Sequence, residues 1–229
     1  VGDDGLHYPA CDLWETYLVS FVYTEAAIYG ALQTAATYAD AAGHQQQAQC
    51  WRAVAERVQQ AVIAVYHHGY FPRGRNDGED PIVDSSTLGV VVPFGLLGTD
   101  HPDYRPMIES NLETIQKRLT TRLNDGEGIR RYEGDGYLGG AIGCVNTLWA
   151  AWVSLRLAQA YNNNSSSRCE KYKQQAIAYI NFALEHATPT GLLPELIGTE
   201  QETPYWAAPH SWASALLIEC VLALDTLNC

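Results

Sequence analysis

Hydrophobic residues recur at intervals of three and four along most of the chain, and alternating runs are scarce. This spacing is typical of amphipathic helices, whereas alternation would indicate strands. The pattern therefore predicts a chain built of helices and loops, with no convincing run of strands. The seven predicted helices span about 17–42, 45–67, 84–97, 105–121, 144–161, 168–187 and 209–227.

The connections between these helices alternate between short and long. Only a short turn containing Gly43 separates the first two, so we expect an antiparallel helical hairpin there. Residues that carry chemistry concentrate in the long loops, above all in the glycine-rich loop 124–143. This organisation favours an all-α fold in which hairpins close into a toroid with a site on one rim. An open helical solenoid is the alternative.

Composition limits the partners that the protein can have. The chain has 229 residues, of which 47% are hydrophobic and 17% charged, so residues 1–229 are expected to form a single globular domain. Its formal net charge of −12 argues against nucleic acid or an anionic membrane as a partner, since both attract clustered Lys and Arg. No apolar run approaches the roughly 20 residues of a membrane-spanning helix. A neutral or small ligand fits better.

The cysteines and histidines show no metal-binding pattern. The six cysteines include no C-x-x-C pair, and no histidine stands at ligand spacing from them. Cys50, Cys144 and Cys220 fall on predicted apolar helix faces, where free cysteine behaves as a small hydrophobe. We therefore expect these three cysteines to be reduced and structural, and no metal. Reduced cysteines favour a cytoplasmic protein, with secretion of a longer form as the alternative. The adjacent pair His67 and His68 is more typical of a helix end than of a metal site.

Two acidic segments contain candidate catalytic groups. Asp12-Leu13-Trp14-Glu15 places two carboxylates and an indole just before the first predicted helix. The helix dipole would favour the ionised form of a carboxyl group there. The indole would favour the protonated form, because it excludes water. The ordinary interpretation is that Asp12 caps the helix, Trp14 belongs to the core and Glu15 is a first-turn acid. Glu195, in the loop before the last predicted helix, supplies a second carboxylate.

Several segments together resemble one family of enzymes. They occur in the order and spacing found in family 15 glycoside hydrolases, of the glucoamylase and glucodextranase type, and the resemblance runs from about Gly5 to the C-terminus. No single segment is specific, but their joint occurrence is. The segments are Asp12-Leu13-Trp14-Glu15, Gly128-Ile129-Arg130-Arg131-Tyr132-Glu133-Gly134-Asp135, Asn146-Thr147-Leu148-Trp149, Gly191-Leu192-Leu193-Pro194-Glu195, and Pro204-Tyr205-Trp206-Ala207-Ala208-Pro209 with Trp212.

The resemblance implies an (α/α)6 toroid of twelve helices, so seven predicted helices correspond to its C-terminal half. In this interpretation the chain begins in mid-domain. An incomplete toroid would expose apolar faces that its other helices normally cover, at a cost of about 25 cal/mol per Å2. Either the missing N-terminal half of the barrel binds as a partner, from another chain or a longer product, or the helices repack.

The resemblance also implies roles for individual residues. Glu15 matches the general acid of the family and Glu195 its general base. Arg131 matches the arginine that holds the non-reducing glucose. The other implied substrate-binding residues are Asp12, Trp14, Tyr132, Tyr137 and Trp206.

These roles describe an inverting reaction. One carboxyl donates a proton to the leaving oxygen while the other activates water on the opposite face of the sugar, and the two lie about 6.5 to 9.5 Å apart. The expected activity is release of glucose from the non-reducing end of malto- or isomalto-oligosaccharides, and it needs no cofactor. Two alternatives remain: a catalytically silent carbohydrate-binding or regulatory module of the same fold, and a helical scaffold in which Arg131 pairs with Glu15 or Asp135 for structural reasons.

Overall fold

The computed structural model describes residues 1–11, 13–76, 78–123, 126–162, 165–198 and 205–227. Helices make up most of its regular structure. The α-helices are α1 (Val22–Ala41), α2 (Gln45–Ala64), α3 (Tyr104–Leu119), α4 (Cys144–Tyr161), α5 (Ser166–Glu185) and α6 (Ser211–Asp225). A 3-10 helix at Ser85–Val90 lies where the third helix is predicted, and a shorter one covers Tyr137–Gly139. Six of the seven predicted helices are thus α-helical, and the third is a 3-10 helix.

Short strands connect the helices. They are β1 (Ala10–Cys11), β2 (Leu18–Phe21), β3 (Gly74–Asn76), β4 (Gly78–Asp80), β5 (Thr120–Leu123), β6 (Gly126–Ile129), β7 (Ile142–Gly143), β8 (Leu196–Ile197) and β9 (Tyr205–Trp206). They form three antiparallel sheets with the orders β1-β2-β3-β4, β5-β6 and β7-β8-β9. The prediction of a chain without strands is therefore wrong, because segments of two to four residues are too short to show a period of two.

The chain divides into two compact units. Unit 1 comprises Val1–Ile82 and Ser86–Gly98, and unit 2 comprises Val83–Ser85 and Thr99–Cys229. Whether residues 1–229 behave as one domain, as the sequence suggests, stays a prediction.

Unit 1 is built on the helical hairpin α1–α2, which the sequence predicts correctly. Gly43 lies in the turn with φ of +83°, a conformation that favours glycine, and the next amide, of His44, donates to the carbonyl of Ala39 at 2.8 Å. The two helices approach closely because small residues lie between them. Ala39 and Ala48 are buried together there, with Trp51 packed against them.

The N-terminal segment of unit 1 is held by a buried carboxyl group on α1. Glu25 is fully buried, and its Oε1 accepts a hydrogen bond from the amide of His7 at 2.5 Å. The His7 ring accepts a hydrogen bond at Nε2 from the amide of Phe21 at 2.9 Å, and its Nδ1 lies 2.6 Å from the carbonyl oxygen of Tyr8. These contacts describe a neutral imidazole that donates from Nδ1. Oε2 of Glu25 is buried without a hydrogen-bond partner.

Unit 2 is built around α4. This helix carries buried residues on all of its faces, and α5 and α6 pack against it. A helix that is apolar all round belongs in a core. The Trp149 side chain on α4 is fully buried and meets Trp212 of α6 edge to face, with ring centroids 5.5 Å apart. The helix that bears the predicted Asn-Thr-Leu-Trp segment is therefore the centre of this unit.

The cysteines differ in part from expectation. Cys144 and Cys220 are buried free thiols, and burial raises the pKa of each to about 12, so both are inert hydrophobic groups as predicted. Cys50 is also free, but it is exposed rather than on a buried face. The three cysteines expected to be reduced, Cys50, Cys144 and Cys220, are thus free, whereas Cys169 is disulfide-bonded.

Within the described residues, no helix is long and apolar enough to cross a membrane. The same part of the chain contains no group of three or more His, Cys, Asp or Glu side chains that could hold a metal ion.

Candidate active site

The arginine of the glycine-rich loop lies in a buried ion pair. Nε and Nη2 of Arg131 donate to the two carboxylate oxygens of Asp135 at 2.6 and 2.7 Å, and both side chains are more than nine-tenths buried. The amide of Tyr137 donates to the same carboxylate at 3.0 Å. This bidentate geometry fixes the plane of the guanidinium group and the start of the 3-10 turn that follows.

Two tyrosines surround this guanidinium group. Its central carbon lies 4.8 Å from the ring centroid of Tyr137 and 5.5 Å from that of Tyr132. Tyr132 is buried, whereas Tyr137 is 44% exposed. Burial acts to lower the pKa of Arg131, but the hydrogen-bonded Asp135 and the fields of Tyr132 and Glu195 outweigh it, so its pKa lies above the ordinary value. The charge of Glu195 thus acts on Arg131, and the guanidinium group of Arg131 also lies over the rings of Tyr132 and Tyr137.

The candidate base is fixed through its backbone. The carbonyl of Glu195 accepts a hydrogen bond from the amide of Cys144 at 2.9 Å, and its own amide donates to the carbonyls of Trp206 and Ala207 at 3.0 and 3.2 Å. Leu196, the next residue, pairs with Gly143 in β7 and with Trp206 in β9. The Glu195 side chain is half-buried at the edge of this small sheet, and the Trp206 side chain is 45% exposed.

The candidate acid belongs to unit 1, and its surroundings differ from expectation. Glu15 is exposed and has φ of +56°, and Trp14 beside it is half-buried. Helix α1 has Phe21 as its N-cap, so the expectation that Glu15 stands in the first turn of a helix is wrong. The intervening residues instead form β2, which pairs with β1 and β3.

The remaining predicted contacts of the acid segment are less defined. Asp12 lies outside the described residues, so its predicted substrate contact stays a prediction. Thr16 follows Glu15 and donates from Oγ1 to the carbonyl of Trp14 at 2.8 Å, which closes a tight turn around the acid. Because Glu15 and Glu195 belong to different units, their separation also stays a prediction.

Residues with unusual backbone conformation concentrate near the predicted site residues. Four non-glycine residues in the described part of the chain have positive φ. Glu15 is one of them, Leu138 directly follows Tyr137, and Ala207 directly follows Trp206; His68 lies elsewhere. Left-handed conformation costs energy in residues with a Cβ atom and persists mainly where the surroundings impose it, commonly at functional sites.

Some contributors to this arrangement are not predicted as site residues from the sequence. In the sequence, Asp135 stands out only as part of a motif and as a structural partner of Arg131. The structure contains this pairing, which the scaffold alternative names. Ser85 and Asn146 support residues 128–135, the arginine loop, through hydrogen bonds that join residues 46 and 61 positions apart. The spacing of Arg131 and Asp135 in a glycine-rich loop is a local signal. Asn146 stands in a family-like segment, but nothing local indicates that it bonds to Ser85.

Comparison with known proteins identifies the class to which this fold and these residues belong. The sequence profile of glycosyl hydrolases family 15 matches residues 6–222, nearly the whole chain. The chain therefore belongs to glycoside hydrolase family 15. No curated protein sequence matches it.

Solved structures share the fold. The glucoamylase of Hormoconis resinae superposes with a TM-score of 0.76 and 17% identity over 97% of this chain and 46% of its own. A bacterial glucoamylase complexed with acarbose superposes with a TM-score of 0.74 and 19% identity, over 93% of this chain and 35% of its own. A glycosidase variant in complex with glucose superposes with a TM-score of 0.74 and 21% identity, over 96% of this chain and 56% of its own. The fold is thus that of a partial (α/α)6 toroid, and the chain spans about half the length of the glycosidase and glucoamylase chains that it matches.

Proposed function

We propose that this chain carries the catalytic half of an inverting, exo-acting glycoside hydrolase that releases glucose from the non-reducing end of α-glucosides. Family membership supports hydrolysis of a glycosidic bond. The observation that carries the finer proposal is the arrangement in unit 2, where a bidentate ion pair with Asp135 orients Arg131 and backbone hydrogen bonds hold Glu195 in place. The exposed rings of Tyr137 and Trp206 accompany these groups in the same unit.

In the proposed reaction, Glu15 donates a proton to the departing glycosidic oxygen. Glu195 accepts a proton from a water molecule as that water attacks the anomeric carbon from the opposite face, so the released glucose has the inverted configuration. The exposed position of Glu15 suits a group that must reach the leaving sugar, and the half-buried Glu195, with both backbone polar groups bonded, suits a base held in one position. The step needs no cofactor.

Arg131 is proposed to bind the hydroxyl groups of the terminal glucose. Its orientation is set by Asp135 before any sugar arrives, so little conformational entropy is lost on binding. Tyr137 and Trp206 offer exposed aromatic faces, on which the apolar face of a pyranose ring stacks. A neutral sugar also agrees with a chain whose formal net charge is −12.

Proton NMR of fresh reactions on malto- and isomalto-oligosaccharides tests the proposal. Early appearance of β-glucose is expected, and Glu195→Gln should lower turnover by about a hundredfold or more, since it removes the base. Glu185→Gln is the matched control, because Glu185 is an exposed carboxylate on α5 of the same unit. Release of α-glucose, or equal turnover in both variants, would contradict the assignment.

A catalytically silent carbohydrate-binding module is the second candidate. The observation that favours it is that Arg131, Asp135, Tyr137 and Trp206 all belong to unit 2 and do not depend on Glu15. Such a module should bind glucose with an affinity that Glu195→Gln leaves unchanged, and it should release no glucose from any oligosaccharide. Isothermal titration calorimetry alongside the NMR assay separates the two candidates.

We also propose that further helices of the toroid pack on α6. Ile218, Val221 and Leu222 occupy one face of this helix and are 52–59% exposed, while the opposite face packs against α4. A helix that is apolar on both faces is adapted to neighbours on both sides. In the form of the protein that shows turnover, Ile218→Lys should lower the unfolding free energy measured in urea, because a lysine is buried at high cost among apolar neighbours. An unchanged unfolding free energy would contradict the proposal.

A further inference from the structure

The first turn of α4 is linked to the candidate base and, from a second position, to the candidate sugar-binding arginine. At the first residue of the helix, the amide of Cys144 donates to the carbonyl of Glu195 at 2.9 Å. Two residues later, Nδ2 of Asn146 donates to Oγ of Ser85 at 2.6 Å. Ser85 belongs to the short segment of unit 2 that runs beside the arginine loop.

Ser85 connects this turn to the backbone of Arg131. Its amide and its hydroxyl group both donate to the carbonyl oxygen of Arg131, at 2.9 and 2.8 Å. Because the hydroxyl proton points to Arg131, Oγ can only accept from the next group in the chain of hydrogen bonds. An amide Nδ2 supplies that donor, whereas a carboxylate at position 146 could not.

The environment shows that this chain of hydrogen bonds is enclosed. Asn146 is 1% exposed and Ser85 is fully buried, so water cannot replace either partner without opening the unit. Gly143 leaves the space that the Asn146 side chain occupies, because a Cβ atom at position 143 would lie 1.8 Å from Oδ1 of Asn146. The buried amide side chain of Asn146 therefore has its partner and its space provided by two other segments.

We propose that Asn146 is a positioning residue, which acts through Ser85 to fix the peptide of Arg131 relative to that of Glu195. The proposal rests on the proposed function, since it assigns Asn146 to the sugar site that contains these two groups. It does not require Asn146 to touch substrate. One turn of a buried helix then serves as the common reference for the group that holds the glucose and the group that activates water.

The test uses Ser85→Ala and Asn146→Asp in the form of the protein that shows turnover. Each substitution removes one donor, with little change of volume, from the chain of hydrogen bonds Asn146–Ser85–Arg131, the relay. Ser85→Ala keeps the proposal testable if a buried aspartate at position 146 prevents folding. Ser154→Ala is the matched control. Ser154 is also a fully buried serine of α4, and it donates to the carbonyl of Ala150 at 2.8 Å, away from the arginine loop.

Two readouts distinguish positioning from a merely structural role. Steady-state kinetics should show kcat lowered on the order of tenfold to a hundredfold in both relay variants, with KM changed less, because a misplaced Arg131 misaligns the sugar in the transition state. Hydrogen exchange followed by mass spectrometry should show faster exchange in peptides covering 83–85 and 128–135, by about two- to tenfold for one lost hydrogen bond. The control should change neither.

The outcomes separate this proposal from the proposed function. If the protein without substitutions is active and both relay variants have the same kcat as that protein, the positioning role is overturned, even if the variants are less stable. Unchanged exchange in both loop peptides would overturn the physical link itself. An unchanged protein that neither turns over nor binds glucono-1,5-lactone would instead refute the proposed function, and the positioning role with it. Loss of kcat together with faster loop exchange, in both relay variants but not in the control, would support it.

Discussion

Replacing Glu25 by glutamine should alter the pH dependence of stability in unit 1. Glu25 is fully buried on α1, with one oxygen accepting from the amide of His7 and the other without a partner. Burial raises the pKa of Glu25 from 4.5 to about 7, the raised value being limited by the His7 amide and the N-terminal amine and increased by Asp4. The folded state therefore holds the Glu25 proton more tightly than the unfolded state does.

The sign and size follow from linkage. A raised carboxyl pKa gives stability that is complete below the unfolded pKa and is lost as pH rises through the folded pKa. The shift from 4.5 to about 7, at about 1.4 kcal/mol per pH unit, corresponds to a loss on the order of 3 kcal/mol between about pH 4.5 and pH 7.5. His7 acts in the opposite direction, because burial lowers the pKa of its ring and its stabilising contribution is lost as pH falls.

Urea denaturation at several pH values between about 5 and 8 measures the effect. The difference in unfolding free energy between the unchanged protein and Glu25→Gln isolates the carboxyl, because His7 titrates in both. That difference should move in favour of the glutamine variant by about 2 to 3 kcal/mol as pH rises. Glu56→Gln, an exposed change on the neighbouring helix α2, is the control and should give a flat difference. A flat difference for Glu25→Gln as well would refute the reasoning.

Four further outcomes are expected. Gly143→Ala should lower the unfolding free energy by about 1 to 3 kcal/mol, because its Cβ would overlap the Asn146 side chain, and denaturation in urea measures this. Trp149→Ala should cost about 3 to 5 kcal/mol in the same assay, since it empties the core of unit 2. Alkylation of Cys169 in the unfolded chain, followed by peptide mass spectrometry, should require prior reduction; disulfides are rare in cytosolic proteins, so this also bears on the predicted compartment. Glu15→Gly should keep or raise stability by up to about 1 kcal/mol, because φ is +56°, while abolishing turnover in the NMR assay.

The sequence predicts long helices well and short elements poorly. The bounds predicted for α4 are those of the structure, because its apolar residues extend over eighteen positions between a glycine and a polar run. The third predicted helix contains Gly89 and Pro93, both of which weaken an α-helix, and the structure has a 3-10 helix there. Phe21 and Leu18 fit a helical stripe in sequence but lie in β2, since pairing with β1 and β3 outweighs local preference.

The candidate site shows the same division between local and distant information. Segments that resemble the family indicate Arg131 and Glu195. Both belong to unit 2, where the charge of Glu195 is one of the causes that raise the pKa of Arg131. The relay from Asn146 through Ser85 could not be predicted, because its hydrogen bond joins residues 61 positions apart and no local pattern pairs the two. The expected helix dipole at Glu15 failed for a similar reason, since strand pairing with distant segments displaces the start of α1 to Val22.

Backbone strain supports a functional rather than a scaffolding role for these loops. A scaffold gains stability when glycine replaces a residue with positive φ, so selection for stability alone favours glycine at Glu15, Leu138 and Ala207. At Ala207 the conformation has a visible use, because the carbonyl of this residue accepts from the amide of Glu195 at 3.2 Å. At Glu15 the side chain is exposed, so burial does little to offset the strain of its backbone. An exposed carboxylate on a strained backbone fits the role of proton donor that the proposed hydrolysis gives to Glu15.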